Sequence, residues 1–452
     1  MLTENDFSDA QQALIDALYG GNILAIAPMG MGKTAAAQTA ATELIKDGHL
    51  KRVLVIAPLK VAQLTWANEH TKWSHLEAPA MAIGDVAKRK EALESDNPLV
   101  VINMDNVPWL MKSNDLVALG FDGLVIDEIS KFKSPGSSRV RALRPRLKNF
   151  KWRVGLSAAP LTESGMEIYS QALLIDMGKS LGRSFDAFKR KFFIPTDYLQ
   201  YDWVFMPPDG QQRLAAALKP IVYIAESESY TTALPILRDH IHTIKLPKHA
   251  RAAYSAMARD MVAEVSDNAI EAPSNAVLSL KLLQIASGWV YNSESEAIQI
   301  HSEKIDWVKN FVKPGQRIIL SYWFKYELAA LREAFPGLTV LSDDPVAAMA
   351  AWNAEDIDLL ALHPAAGGHG TNLQKSCHTL ICLGPFWSLD LWGQLLGRIL
   401  RRGSTAKYVD RHVLIAESTV DELVMSRLEG KKMREGILMD HIRNAAENQP
   451  TE

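Results

Sequence analysis

Residues 22 to 46 place the tightest constraint on this chain. An apolar run, NILAIA, leads into Ala27-Pro28-Met29-Gly30-Met31-Gly32-Lys33-Thr34, and the helix-forming stretch AAAQTAATELIK follows without a gap. A strand, a glycine loop and a helix in that order suit a loop whose backbone N–H groups wrap phosphates at a helix N-terminus. Gly30 and Gly32 permit close backbone approach, Lys33 brings a point charge to the β and γ phosphates, and Thr34 offers a hydroxyl to Mg²⁺. Pro28, Met29 and Met31 complete the loop, and Ala27 stands where such loops usually begin with glycine. The bland alternative, a chance Gly-Lys-Thr in a glycine turn, does not account for the flanking strand and helix.

The apolar runs RVLVIA (52 to 57), PLVVIN (98 to 103), DGLVID (122 to 127) and WRVGLS (152 to 157) continue the pattern, separated by longer amphipathic stretches. Such alternation predicts a parallel sheet with crossover helices. Aromatic, basic and proline-bearing segments interrupt it from 165 to 235, and helices are expected near 248 to 267 and 276 to 287. It resumes with QRIILS (316 to 321), LTVL (338 to 341), DLLALH (358 to 363), TLICLG (379 to 384) and YVDRHVLIA (408 to 416). The expected fold class is therefore α/β: two parallel-sheet lobes in tandem with helical insertions, divided into residues 1–232 and 233–452.

A length of 452 residues is consistent with that division. Forty-nine basic against 52 acidic residues give a net charge of -3, so any nucleic-acid site must be a local patch rather than a global basic excess. Two cysteines, Cys377 and Cys382, are too few for a secreted disulfide framework. The acidic N-terminus and the lack of an apolar run of about 18 residues predict a cytoplasmic protein with no membrane partner.

Asp127 and Glu128 stand where the run LVID ends, at the sheet edge where ligands bind. There Asp127 would hold Mg²⁺ through water, and Glu128 would orient and deprotonate the attacking water. An exposed acidic pair at a strand end is common by itself; the phosphate loop is what gives this pair meaning. In the second half, Gln394, Arg398 and Arg401 fall at offsets of four and seven, which would put them on one helix face. Such guanidiniums suit a γ-phosphate; a salt-bridging surface helix is the alternative. His363, His369, Cys377 and His378 could be drawn as a zinc set, but they lack the paired spacing of one.

In order along the chain these motifs resemble the Swi/Snf-like group of superfamily two helicase-type ATPases, in a compact form like those encoded by bacteriophages. Ala10-Gln11-Gln12 resembles the family's glutamine motif, Val55 to Lys60 its next motif, and Trp66, Glu69 and Trp73 its Trp-x-x-Glu-x-x-x-Trp pattern. The stretch from Gly367 to Gln374 looks like the glycine-rich coupling motif, and Gln394 to Gly403 like the arginine-finger motif. The resemblance implies two RecA-like lobes with ATP and Mg²⁺ between them and DNA across both. It also implies nucleotide contacts from Gln11 and Gln394, fingers at Arg398 and Arg401, and DNA contacts near Pro58, Lys60, Asn103, Gly368, His369, Thr371 and Asn372. Ser157 would couple the two sites. For a phage-encoded protein the location would be the bacterial host's cytoplasm.

Three positions depart from the family's pattern: Ser130 replaces the usual histidine of the acidic box, Ser157-Ala158-Ala159-Pro160 replaces Thr-Gly-Thr-Pro, and Ser404 replaces a glutamine. From Lys131 to Arg153 nine basic residues occur with no acid, either a nucleic-acid anchor or a solvated helix face packed behind the ATP site. The expected function is a DNA-dependent ATPase that translocates on duplex or branched DNA without reading sequence. The alternative is an ATP-switched regulatory or assembly subunit of a nuclease or defence complex, which DNA-stimulated turnover would distinguish.

Overall fold

The computed structural model describes residues 1–113, 116–158, 165–196, 203–225, 234–265, 268–365, 373–374, 377–400, 404 and 406–430. They gather into two compact units, Met1–Thr232 and Ala233–Gly430. Each unit is built around a parallel sheet, so the architecture is α/β in both. Among the described residues no helix is long and apolar enough to cross a membrane.

The first unit's sheet contains β1 (Ile23–Ile26), β2 (Arg52–Ala57), β3 (Ala80–Ala82), β4 (Leu99–Asn103), β5 (Phe121–Asp127), β6 (Trp152–Ser157) and β7 (Val222–Ile224). Their order is β3-β4-β2-β5-β6-β1-β7, with every pairing parallel. Helices cover both faces of such a sheet, so its central strands read as unbroken apolar runs, and β4, β5 and β6 are buried along their whole length. Register sets the working edge. Ile26 pairs with Ser157, Leu156 with Asp127, Ile126 with Ile56, and Ala57 with Asn103, so five strands end side by side.

The segment expected as insertions after residue 165 is partly integral to this layer. The helix Ile168–Asp176 is buried throughout and packs on β6 and β1. Beyond it, Phe188 lies among the rings of Tyr169, Phe185, Phe192 and Phe193, so the aromatic stretch FDAFKRKFF closes one end of the first core.

The second unit's sheet contains β8 (Ile236–Ile244), β9 (Ile318–Ser321), β10 (Thr339–Val340), β11 (Leu359–Leu362), β12 (Thr379–Cys382) and β13 (Tyr408–Ala416), in the order β8-β13-β12-β9-β11-β10. Alternate side chains enter opposite cores. Ile319, Leu360, Leu380 and Val413 join one cluster, while Ile318, Ala361, Ile381 and Leu414 join the other.

Sequence reading does not find β8, because its residues are mostly polar. Its register explains how it pairs: Arg238 faces Asp410, Asp239 faces Arg411 and His240 faces His412. Arg238 donates to both oxygens of Asp410 at 2.8 and 2.6 Å, and Arg411 to both of Asp239 at 2.6 and 2.8 Å. Reciprocal bidentate pairs of this kind select one register, and charge on an edge strand discourages pairing with other chains. The helix expected over 248 to 267 stops at Asp260. Met261 turns left-handed at φ 58°, and Val262–Val265 pairs antiparallel with Asn268–Glu271.

A buried ion pair ties the end of the sheet to a helix. Lys304 Nζ, on the helix Glu303–Phe311, lies 2.7 Å from Asp421 Oδ2, which also accepts the Ala416 N–H at 3.0 Å. Removing one partner strands a buried charge, at a cost of about 3–5 kcal/mol. Lys304→Ala is therefore expected to lower the urea midpoint of this unit sharply. The double replacement Lys304→Met with Asp421→Leu should recover much of the loss; a single variant as stable as the parent would show that the pair contributes little.

Candidate nucleotide and nucleic-acid site

Helix α1 (Asp9–Tyr19) positions the glutamine that meets the phosphate loop. Ser8 caps it, and Gln11 Oε1 accepts from the Ser8 N–H and hydroxyl, both at 3.0 Å. With its oxygen so engaged, the Gln11 amide presents its NH₂ group to the loop. Gly32 is left-handed at φ 85°, so its backbone favours glycine, and a Cβ there would sit 2.5 Å from Gln11 Nε2 and displace that amide. Gln12, the neighbouring candidate, instead donates to Asp16 on the exposed side.

The loop runs from β1 into helix α2 (Lys33–Lys46), with Gly30 left-handed as well, at φ 80°. Lys33 Nζ donates to the carbonyls of Ala27 at 2.7 Å and Pro28 at 3.1 Å, which folds the lysine back over the loop it belongs to. Met31 is buried, Met29 is half-buried, and Thr34 is half-buried in the first turn of α2. The Ala27 N–H donates to the Ser157 carbonyl at 3.0 Å, and Ser157 itself is fully buried.

Asp127 and Glu128 are both buried at the end of β5. Glu128 is left-handed, φ 56° and ψ 50°, a conformation that costs a non-glycine residue about 1–3 kcal/mol and clusters at functional sites. This turn lets the Glu128 N–H donate to Asp127 Oδ1 at 2.9 Å, and the Trp66 indole N–H donates to Asp127 Oδ2 at 2.8 Å. Below them Ile129 fills the space over Gly155 of β6, where a Cβ would lie 2.6 Å from Ile129 Cδ1. Ser130 is buried, and its hydroxyl has no hydrogen-bond partner among the described residues. The hydroxyl of Thr34 and the carboxylate of Asp127 are hard oxygen donors at one sheet edge, a set that fits Mg²⁺ beside a triphosphate. Mg²⁺ supplies charge neutralisation there when bound.

In the second unit Gln394 and Arg398, expected on one helix face, do not belong to one helix. The helix Leu389–Leu396 ends before Arg398, with Gly397 as its C-cap. Gln394 is on that helix and buried, whereas Arg398 lies in the turn beyond it, also buried, and donates to the Pro364 carbonyl at 2.9 Å. Gly397 keeps right-handed dihedrals, φ -65° and ψ -4°, and the Leu400 N–H still reaches the Leu396 carbonyl at 2.9 Å, so the chain passes from the helix into a turn that carries Arg398. Arg398 is thereby tied to the start of the glycine-rich segment. Arg401, Gly368, His369, Thr371 and Asn372 lie outside the described residues.

His363 sits at the same place, and its tautomer is set by its partners. Nδ1 accepts the Ala365 N–H at 3.1 Å, which leaves the proton on Nε2 for the Trp323 carbonyl at 3.1 Å. Burial, with Arg398 nearby, holds its pKa below the ordinary value. Cys377 is a buried thiol pushed up to about 11 by burial, donating to the Thr379 carbonyl. Trp323 stacks on Phe386 at 4.5 Å, so it serves packing.

Of the other nucleic-acid candidates, Pro58 caps the short helix Leu59–Leu64 and Lys60 is exposed on it. Asn103 is buried and its side chain accepts from Asn106. Part of the basic run is occupied by the protein itself. Arg153 is buried and donates to the Ile175 and Phe150 carbonyls, Lys151 pairs with Asp122 at 2.9 Å, Arg139 with Asp105 at 2.8 Å, and Arg146 donates to the Met111 carbonyl. Lys131, Lys133, Arg141, Arg144 and Lys148 are exposed, Arg144 also donating to the Arg183 carbonyl at 2.8 Å. As a continuous anchor, the run is reduced to those exposed members.

Comparison with known proteins places the chain in a family. The family model described as SNF2-related domain matches residues 19–287. A protein of Acyrthosiphon pisum secondary endosymbiont phage 1, named putative protein p41, is 32% identical over 434 residues, 92% of this chain and 93% of its own length. The SWI/SNF-related matrix-associated actin-dependent regulator of chromatin subfamily A-like protein 1 of Xenopus tropicalis is 30% identical over 151 residues, 33% of this chain and 15% of that protein. Among solved structures, the Sulfolobus solfataricus SWI2/SNF2 ATPase core in complex with dsDNA aligns with a TM-score of 0.45 at 20% identity, covering 95% of this chain and 93% of that one. The chain belongs to the SNF2-related family of Swi/Snf-like, superfamily two ATPases. At the family level its chemistry is that of a helicase-type ATP hydrolase.

Proposed function

We propose that this protein is a DNA-dependent ATPase that translocates on duplex or branched DNA and remodels it. The observation that carries the reading is the shared sheet edge of the first unit. Ala27 to Thr34, Asp127 and Glu128 provide phosphate and water chemistry at the ends of β1 and β5, and the candidate backbone contacts, Pro58 to Lys60 and Asn103 to Asp105, follow the adjacent β2 and β4. Ser157 ends the strand between β1 and β5 and holds the loop's first N–H. A shift in the phosphate loop is thus one hydrogen bond from the strand next to the acidic box, and the backbone-contact loops follow the two strands beyond that box, β2 and β4.

In this reading Lys33 and the loop N–H groups bind the triphosphate, Glu128 takes the proton of the attacking water, and Arg398 and Arg401 offset charge in the transition state. Movement needs alternating grips on phosphates, which are independent of sequence and weaken with salt through counterion release. The exposed Lys60, Arg141 and Lys148 supply charge of that kind.

ATPase rates with no nucleic acid, single strand, duplex, four-way junction and RNA test the reading together with a triplex-displacement assay. Duplex or junction DNA should stimulate turnover, and the stimulation should fall steeply with salt and be indifferent to sequence. Ser157→Ala keeps the backbone carbonyl that receives the Ala27 N–H and deletes only the buried hydroxyl, the group the family resemblance assigns to coupling; it should reduce triplex displacement more than ATP hydrolysis, because no catalytic group is lost. Hydrolysis indifferent to every nucleic acid would favour an ATP-switched regulatory or assembly subunit, a reading to which the replacement of the family's histidine by Ser130 also lends weight.

A further inference from the structure

We propose that Trp66 is a positioning residue for the acidic box, fixing the Asp127 carboxylate so that it can serve Mg²⁺. This rests on the ATPase reading above. Indole carries one polar atom and only donates, so a buried tryptophan needs an acceptor. Two other buried tryptophans satisfy the need with backbone carbonyls: Trp152 donates to Leu18 at 2.8 Å and Trp352 to Leu373 at 3.3 Å. Trp66, fully buried, instead donates to a buried carboxylate oxygen, while the Glu128 N–H takes the other oxygen. Hydrogen bonds to an ionised acceptor are the stronger kind, and two donors from different elements hold both the rotation and the charge of the carboxylate.

The segment that carries Trp66 is itself braced against the phosphate-loop helix. Trp73 packs on Ala35 of α2 and stacks on Phe7 at 3.9 Å. His75 Nε2 lies 2.8 Å from the Thr39 hydroxyl, and Gln38 Nε2 donates to the Glu77 carbonyl at 3.0 Å. Residues 66 to 77 therefore form a strut from α2, whose first residues are Lys33 and Thr34, to Asp127. Strand pairing alone sets where the Asp127 backbone sits; the strut sets where its oxygens sit relative to the helix that presents Thr34. The spacing of Trp66 and Trp73, seven residues apart, places one ring at each end of it.

Trp66→Phe deletes the donor and keeps most of the ring volume. Partners that orient a metal's carboxylate typically contribute about 10–100-fold to metal affinity or activity. The variant should raise the Mg²⁺ concentration for half-maximal binding of a fluorescent ATP analogue about 10-fold or more, with metal-free binding of the analogue unchanged. Trp152→Phe removes an equally buried N–H that ends on a carbonyl, and should leave the Mg²⁺ dependence where it is. Replacement of Trp66 by 3-benzothienylalanine, which exchanges the N–H for sulfur at constant shape, should repeat the shift and keeps the test open where Trp66→Phe fails to fold. In the unliganded wild type the Trp66 indole N–H should be protected from hydrogen exchange and should move in the spectrum on Asp127→Asn. A Mg²⁺ dependence identical to wild type in both Trp66 variants overturns the assignment. A wild type that binds Mg²⁺-nucleotide but does not hydrolyse it overturns the ATPase reading and leaves the Trp66 measurement standing.

Discussion

Glu128→Gln is expected to bind Mg²⁺-ATP as wild type does and to turn it over at least about 10³-fold more slowly, within the range that general bases contribute. The substitution keeps the side chain's volume and removes its ability to accept a proton. The backbone around it should persist: the left-handed turn, the Glu128 N–H donated to Asp127 and the Ile129 packing over Gly155 involve no atom that changes. Lys33→Ala should fail differently, losing nucleotide affinity along with turnover, because it removes a ground-state phosphate contact. Equilibrium binding of a labelled ATP, read beside single-turnover hydrolysis, separates the two. Glu128→Gln turnover at the wild-type rate would remove this residue from the chemistry.

The second large effect is expected at Arg398. Arginine fingers contribute about 10³–10⁵ to related phosphoryl transfers, and Arg398→Ala should lower kcat by about 10² or more while nucleotide affinity changes far less. Arg398 is buried and donates to the Pro364 carbonyl, so its loss also disturbs the entry to the glycine-rich segment. A thermal melt of the variant therefore belongs with the kinetics. Arg398→Lys, which keeps a charge and a donor but loses the planar fork, should recover folding without recovering the rate. Because Lys33 and Arg398 belong to different units, a fragment of residues 1–232 should bind nucleotide weakly and hydrolyse almost none of it. Full activity in that fragment would end the case for the finger.

Where local chemistry decides, the residues already announced the result. Strands β2, β4, β5 and β6 lie on the apolar runs that mark them, because a parallel strand covered on both faces must be apolar at nearly every position. The phosphate loop was legible for the same reason: strand, glycines, lysine and helix are contiguous, so no distant partner is needed to form it. The acidic box and the glutamine motif could be located, although the contact of Gln11 with Gly32 could not.

What only the tertiary structure decided involves partners far apart along the chain. Strand β8 looks unlike a strand until Arg238 and Asp239 meet Asp410 and Arg411, 172 residues away. The helix end at Asp260 depended on a left-handed Met261, where periodicity of side chains gives no stop signal. The basic run reads as one patch, yet Arg153 turns inward to the carbonyls of Phe150 and Ile175, a choice set by packing rather than by charge. Trp66 is the sharpest case. Its residue type and spacing mark a motif, but its meeting with Asp127, 61 residues on, exists only once β2 and β5 are paired and the strut is braced on α2. Sequence determines which groups can do chemistry; long-range pairing, through hydrogen bonds that no local pattern encodes, determines which of them share one carboxylate.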